Sequence, residues 1–258
     1  MKLITLGTAA GNSARDRANA ANLIICGGKY YLIDAGEPVK ALLFSRGIPY
    51  TDVQKVFISH CHEDHLGGLM GLLNCFFREH RKDPESDMTV YLPEMAAQSP
   101  IEAFMKVIHR NIPDGKLSFK PVESGTFFDD GNLKITAYPT DHLEGRGPSY
   151  SFLLEHEKER LLITGDLRWG DFGDFPYSAF AKEPAVCLCE AVHCPLEKIV
   201  DVVRDLPVKK LIFTHYKTSL LKQEYDIFLE KTKGLPYSVV LATDDEEFTI
   251  EGVTHESQ

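Results

Sequence analysis

Hydrophobic residues recur along the chain in short runs separated by turn residues, and the runs are of two kinds. Residues 3–6, 22–26, 30–33, 56–59, 89–92, 134–138, 150–155, 161–164, 186–189, 211–214 and 238–242 are β-rich or apolar stretches of strand length. Helical patterns lie between some of them. Residues 66–78 are apolar around most of the surface, as a buried helix requires; 100–108 are amphipathic; 196–205 set Ile199, Val200, Val202 and Val203 among charged positions. No linker, repeat or shift of composition divides the chain. The pattern predicts two sheets covered by helices in one sandwich domain, residues 1–258, rather than two independent domains.

Composition adds constraints. A chain of 258 residues, 43% of them hydrophobic, can bury a core that needs no disulfide staple. Cys26, Cys61, Cys75, Cys187, Cys189 and Cys194 lack the paired C-x-x-C spacing of a zinc ribbon and read mostly as buried small hydrophobes where thiols stay reduced. No apolar stretch at the start is long enough for a signal peptide or a membrane span, so a cytoplasmic protein with no membrane association is expected. The 28 Lys and Arg against 38 Asp and Glu leave a net charge of −10, which excludes a generic basic nucleic-acid module.

Candidate chemistry gathers at strand ends, where a rigid scaffold presents side chains. The run from Ser59 to His65 follows the apolar Lys55-Val-Phe-Ile58 and precedes a helical pattern. His60, His62, Asp64 and His65 crowd four potential ligands into six residues. On an extended chain His60 and His62 point to the same side and can reach one ion; Asp64 and His65, past the turn, can reach a second. Imidazole and carboxylate without thiolate suit Zn²⁺, with Mn²⁺ or Fe²⁺ as alternatives. The plain alternative, a solvated His-rich loop, is disfavoured by the density of a scarce residue. His142, Asp166 and His215 end other apolar runs. Each alone would be an ordinary hydrogen-bonded residue; with the first four they make seven ligands, enough for two ions. A carboxylate bridging two metals leaves room for a bridging hydroxide, the nucleophile such sites generate.

The H-x-H-x-D-H run at residues 60–65, Asp34 in Tyr31-Leu-Ile-Asp-Ala-Gly36, His142, Asp166 in Thr164-Gly-Asp166 and His215 in Phe213-Thr-His215 resemble the five ordered motifs of the metallo-β-lactamase fold superfamily. The texture is most similar to its ribonuclease Z branch: Leu6-Gly-Thr8, Asp34-Ala-Gly-Glu37, Pro139-Thr-Asp-His142 followed by Pro148-Ser-Tyr150, and Val208-Lys-Lys-Leu-Ile-Phe-Thr-His215. The resemblance covers essentially the whole chain. It implies an α/β fold, a four-layer αβ/βα sandwich with the site at one edge of the sheets. It implies that His60, His62 and His142 hold one metal, that Asp64, His65 and His215 hold the other, that Asp166 bridges them, and that Asp34 braces the 60–65 loop from behind. Asp64 then counts as catalytic as well as ligating. His193, 22 residues before His215, matches the position of the family's proton-donating histidine, and Glu190 that of its acidic partner. The alternative for His193 is a surface residue at the start of the helix near Leu196.

The family's tRNA-gripping arm is inserted between the His142 and Asp166 motifs, which here stand 24 residues apart. That leaves room for a hairpin with strands 150–155 and 161–164 and a charged turn at 155–160, so extended tRNA binding is not expected. The segment from Trp169 to Tyr177 reads as a loop whose aromatics pack on the sheet edge, the alternative being a lid or stacking wall. Arg146, near His142, is a candidate phosphate contact, and Cys61 reads as structural. The expected function is a dinuclear metal-dependent phosphodiesterase acting on a small phosphodiester, a nucleotide, a cyclic phosphate or an RNA end. The alternative hydrolyses a lactone, thioester or β-lactam on the same fold, and His193 separates the two because carboxyl-ester chemistry needs no such donor. A flavodiiron-type reductase is disfavoured by His62, where a glutamate is expected, and a catalytically silent binding module by the retention of all seven ligands. Two divalent ions would bring the charge from −10 to about −6, so attraction of an anion is local and a small substrate suits the chain best. A homodimer is compatible with the sequence.

Overall fold

Antiparallel neighbours in sequence pair first, and parallel strands are then added through helices; this order is used twice along the chain. The computed structural model describes residues 1–11, 15–217 and 222–252. The chain folds as two compact units, one of Lys2–Glu123 with Thr243–Glu247, the other of Met1, Ser124–Ala242 and Phe248–Gln258.

In the first unit, β1 (Lys2–Gly7), β2 (Ala21–Cys26) and β3 (Lys29–Ile33) form an antiparallel meander. Gly27 and Gly28, with φ of 53° and 76°, make the two-residue turn between β2 and β3, a left-handed backbone that glycine adopts without strain. Next come β4 (Val53–Phe57), β5 (Met88–Leu92) and β6 (Leu117–Pro121), each parallel to its predecessor. Parallel pairing requires crossovers. These carry α1 (Val39–Ser45), α2 (Glu63–Leu66), α3 (Leu69–Glu79) and α4 (Gln98–Val107). The sheet order is β14-β1-β2-β3-β4-β5-β6, with β14 at Glu246–Thr249. Leu6, Leu23, Leu32 and Val56 pack with Leu69, Leu72, Phe76 and Met105 in the core beneath these helices.

The helix expected over 66–78 is broken in two at Gly67 and Gly68. A Cβ at residue 68 would stand 2.7 Å from the carbonyl oxygen of Ala35, and Gly68 N donates to that oxygen at 2.8 Å. Ala35 N in turn donates to His65 O at 2.7 Å. The glycine thus lets the helix begin against the Asp34–Gly36 loop and ties that loop to the 60–65 run.

The second unit repeats the plan. β7 (Gly125–Asp129), β8 (Lys134–Thr140), β9 (Ser149–His156) and β10 (Glu159–Ile163) are antiparallel, and β11 (Ala185–Glu190), β12 (Val208–Thr214) and β13 (Ser238–Leu241) follow in parallel, with α5 (Leu196–Val203) and α6 (Lys222–Thr232) in the crossovers. The sheet order is β13-β12-β11-β10-β9-β8-β7. Leu162, Cys187, Cys189 and Phe213 pack against Ile199, Val200, Val203 and Phe228. The β9–β10 hairpin is tighter than its charge pattern suggests: His156 pairs with Glu159, so the turn is Glu157-Lys158 alone. The hydrophobic pattern did not mark α1, β6, β7, β14 or α6. The strands β6 and β7 close the ends of their sheets and are half-exposed, and on α6 Phe228 is buried while Ile227 and Leu229 are exposed. Among the described residues no helix is long and apolar enough to cross a membrane.

Candidate metal centre

Within each unit the predicted ligands emerge at the carboxyl ends of strands, the edge where open α/β sheets place their chemistry. Asp34 follows β3, the 60–65 run follows β4, His142 follows β8, Asp166 follows β10, Glu190 ends β11 and His215 follows β12. β8 and β10 each pair antiparallel with β9, so both run the same way and deliver His142 and Asp166 to one edge.

In the first unit Asp34 organises the loop. Ser59 N donates to its Oδ1 at 2.7 Å and Ser59 Oγ to its Oδ2 at 2.9 Å, while His65 Nδ1 lies 2.8 Å from Oδ2. Ser59 Oγ is also 3.1 Å from His60 Nδ1. His60 Nε2 then stands 3.1 Å from His62 Nδ1, and His65 Nε2 stands 3.6 Å from Asp64 Oδ2. His60, Asp64 and His65 are buried and His62 is exposed. Residue 34 has φ 60°, a left-handed backbone that aspartate tolerates better than most residues.

In the second unit Asp166 is the centre. Its Oδ2 lies 3.5 Å from His142 Nε2, 3.4 Å from His215 Nε2 and 3.8 Å from His193 Nδ1. The backbone carbonyl of Leu167 is 3.3 Å from His142 Nδ1. Glu190, 1% exposed, collects Leu167 N and His193 Nδ1 on Oε1 at 2.9 and 2.8 Å, and Val192 N and His193 N on Oε2 at 2.9 and 3.0 Å. Its own N–H donates to Thr164 Oγ1 at 3.1 Å. His193 and Glu190 are therefore paired with each other beside Asp166.

These donor sets fit a divalent ion. Two ligands about 2.0–2.1 Å from a tetrahedral zinc are separated by about 3.4 Å. The His142–Asp166, His215–Asp166 and His65–Asp64 atom pairs, at 3.5, 3.4 and 3.6 Å, have that separation, too long for strong hydrogen bonds. The Nδ1 atoms of His60, His65 and His142 face oxygen partners, which turns Nε2 toward the ligand position, as ligating histidines require.

Sequence reasoning passed over two of the supporting residues. Ser59 touches Asp34, His60 and His65 at once; its position next to His60 was the available signal. Asp174 accepts from Asp141 N at 2.7 Å and Arg168 N at 2.9 Å, joining the His142 and Asp166 loops. The 169–177 segment divides between its two readings. Phe172 and Phe175 are buried, as packing on the sheet predicts, whereas Trp169 is 64% exposed with its ring centroid 5.4 Å from that of His193. Arg146 is exposed, its Nε donating to Leu143 O at 3.0 Å and its guanidinium 3.8 Å from Glu144. Cys61 lines a groove of the first unit, and burial pushes its thiol up to about 11.

The sequence is 34% identical to ribonuclease BN of Escherichia coli over 174 residues, 65% of this chain and 54% of that protein. The chain spans about half the length of the curated relatives it matches. Among solved structures it is similar to human tRNase Z, short form, with a TM-score of 0.74 at 21% identity over 97% of this chain and 100% of that one. It is equally similar to the metallo-β-lactamase fold protein YhfI of Bacillus subtilis, with a TM-score of 0.74 at 18% identity over 96% of this chain and 98% of that one. The fold is that of the metallo-β-lactamases. The profile of one family within it, described as the anti-Pycsar protein Apyc1, matches residues 1–233, and the chain belongs to that family.

Proposed function

We propose that residues 1–258 form one dinuclear metal-dependent phosphodiesterase acting on a small phosphodiester, a nucleotide, a cyclic phosphate or an RNA end. His60, His62 and His142 would hold one ion, Asp64, His65 and His215 the other, and Asp166 would bridge them, with Zn²⁺ the favoured metal. The ions would supply an activated water and charge relief on the phosphoryl oxygens. The chain's own residues do the rest. Asp34 and Ser59 hold the imidazoles of His60 and His65 in orientation. Glu190 fixes the His193 ring through Nδ1, which makes Nε2 the nitrogen that hands a proton to the departing oxygen.

The observation that carries the reading is this His193–Glu190 pair, 2.8 Å apart and beside Asp166. An alkoxide leaving a phosphodiester needs a proton, whereas a carboxyl-ester hydrolase whose metals carry the oxyanion does not. The ribonuclease-named relatives support the same class of bond. The tight β9–β10 hairpin between His142 and Asp166 supports a small substrate over a tRNA body. A cytoplasmic location and a homodimer belong to the proposal.

The test is metal analysis together with hydrolysis of a bis-aryl phosphate, an aryl ester and a lactone. We expect two ions per chain, fewer in Asp166→Ala, turnover of the diester, and a loss of roughly 10²–10⁴-fold in His193→Ala. Turnover of the ester or lactone with the diester untouched, and a neutral His193→Ala, would overturn it.

A further inference from the structure

The turn that leads into β14 meets, within the first unit, the segment that leaves β1 and returns to β2. Asp244 Oδ1 accepts from Thr8 N at 2.9 Å and from Thr8 Oγ1 at 2.6 Å, and its Oδ2 accepts from Ala18 N at 2.5 Å. One carboxylate therefore fastens both limbs of that segment, through hydrogen bonds of the strong, charge-assisted kind. Ala9 N closes the same neck on Ala18 O at 2.8 Å, and Arg17 Nε donates to Thr8 Oγ1 at 3.2 Å. The turn is itself held from two sides. Thr5 Oγ1 donates to Thr243 O at 2.9 Å and Asp245 N to Thr5 O at 2.8 Å, while the Arg46 guanidinium at the end of α1 binds Asp245 and Glu247. Beyond the neck the outgoing limb arrives beside Asp64. A Cβ at residue 11 would stand 3.4 Å from Asp64 Oδ2 and 3.6 Å from its Cγ, and Oδ2 is the oxygen at ligand separation from His65 Nε2. Glycine at 11 leaves that space open. On the returning limb Asn19 N donates to Glu37 O at 2.9 Å and Gly36 N to Ala20 O at 2.9 Å, which seats the segment on the loop that carries Asp34.

We propose that Asp244, 180 residues from Asp64 in the chain, is a positioning residue for the metal centre: it fastens the neck at Thr8 and Ala18, the fastened limb sets the Gly11 backbone beside Asp64, and Asp64 Oδ2 is thereby kept in place with room for the ion it would hold. Loss of Asp244 releases the limb and weakens that ion. A side chain at residue 11 weakens the same ion by occupying the space, with the neck intact. The proposal rests on the metal-centre reading of Asp64 and not on any substrate, so metal affinity tests it separately from turnover.

The full-length protein and its variants are titrated with Zn²⁺ against a chromogenic chelator, and native trypsin cleavage after Arg15 or Arg17, on the returning limb, is followed by mass spectrometry. In Asp244→Ala one ion should bind about 10–100-fold more weakly while the other keeps its parental affinity, and cleavage after Arg15 or Arg17 should quicken about tenfold to a hundredfold. Asp244→Asn, which keeps an oxygen for Thr8, should fall between parent and Ala in both readouts. Gly11→Leu should weaken the same ion with cleavage unchanged. Because both substitutions act through one contact, the double variant Gly11→Leu/Asp244→Ala should bind that ion no more weakly than the weaker single variant. Parental affinity in Asp244→Ala, equal weakening of both ions, cleavage at the parental rate, or additive losses in the double variant would each overturn the positioning role. A parent that binds Zn²⁺ without hydrolysing a diester refutes the phosphodiesterase reading alone, and the affinities still decide the role of Asp244. A parent that binds no Zn²⁺ refutes the metal-centre reading and the positioning role with it.

Discussion

Replacing Glu190 by Gln tests whether this buried carboxylate holds the second unit's loops together. Glu190 is 1% exposed and accepts from Leu167 N, Val192 N, His193 N and His193 Nδ1, all within 3.0 Å. Gln keeps the shape but offers one oxygen. With that oxygen at the Oε1 position, the amide NH2 faces the N–H groups of Val192 and His193; flipped, it faces the N–H of Leu167. Either way at least one buried donor loses its acceptor, at about 1–3 kcal/mol, and the remaining bonds lose the assistance of the charge. The expected destabilisation is about 2–4 kcal/mol, a large part of the stability of an ordinary domain. Urea unfolding reads it as a lower midpoint with unchanged slope. His193→Ala is the control: it removes one of the four bonds and should cost only about 1 kcal/mol. A Gln variant within about 0.5 kcal/mol of the parent, or a His193→Ala variant as damaged as it, would refute the hub and leave Glu190 acting through the imidazole alone.

Asp34→Asn tolerates the left-handed backbone at residue 34, with φ 60°, but removes one carboxylate oxygen behind His65 and Ser59; metal affinity should fall about 10–100-fold in a competition with a chromogenic chelator, and unchanged affinity would contradict the bracing role. Gly170→Ala forces a side chain into φ 94° and should cost about 1–2 kcal/mol in urea unfolding, with a shift in the Trp169 emission; a neutral outcome would mean the turn is not held as described. Cys61 tests burial in the groove. With its thiol pushed up to about 11, the thiolate forms only as pH approaches that value, so iodoacetamide labelling of chelator-treated protein should be slow at pH 8 and quicken about tenfold per pH unit above it. Labelling at pH 8 as fast as free cysteine would show that the thiol is not buried.

Much of the first unit's cluster of candidate ligands was legible because its members are neighbours in sequence. His60, His62, Asp64 and His65 fall within one strand-to-helix turn, and alternation along an extended chain is enough to pair His60 with His62. His142, Asp166 and His215 were legible only as polar residues ending apolar runs, and the family resemblance selected them from other such residues. The strands with strong apolar alternation were likewise readable, whereas the half-exposed edge strands β6 and β7 carry little pattern because only part of each contributes to a core.

Local composition could not decide the contacts that cross long stretches of chain. Ser59 meets Asp34 across 25 residues, a contact to which only the family resemblance pointed, through Asp34, and Asp174 meets Asp141 across 33, where nothing in either neighbourhood marks the partner. The fate of the Trp169–Tyr177 segment shows the same limit. Its aromatics are alike in hydrophobicity, yet Phe172 and Phe175 enter the core and Trp169 stands outside it, because the Gly170–His193 and Arg168–Asp174 hydrogen bonds set the course of the loop. The sequence by itself determined the residue types and their strand-end positions, and with them the set of candidate ligands. Tertiary structure decided which side chains face each other, because burial and hydrogen-bond partnership belong to the folded chain and not to any window of it.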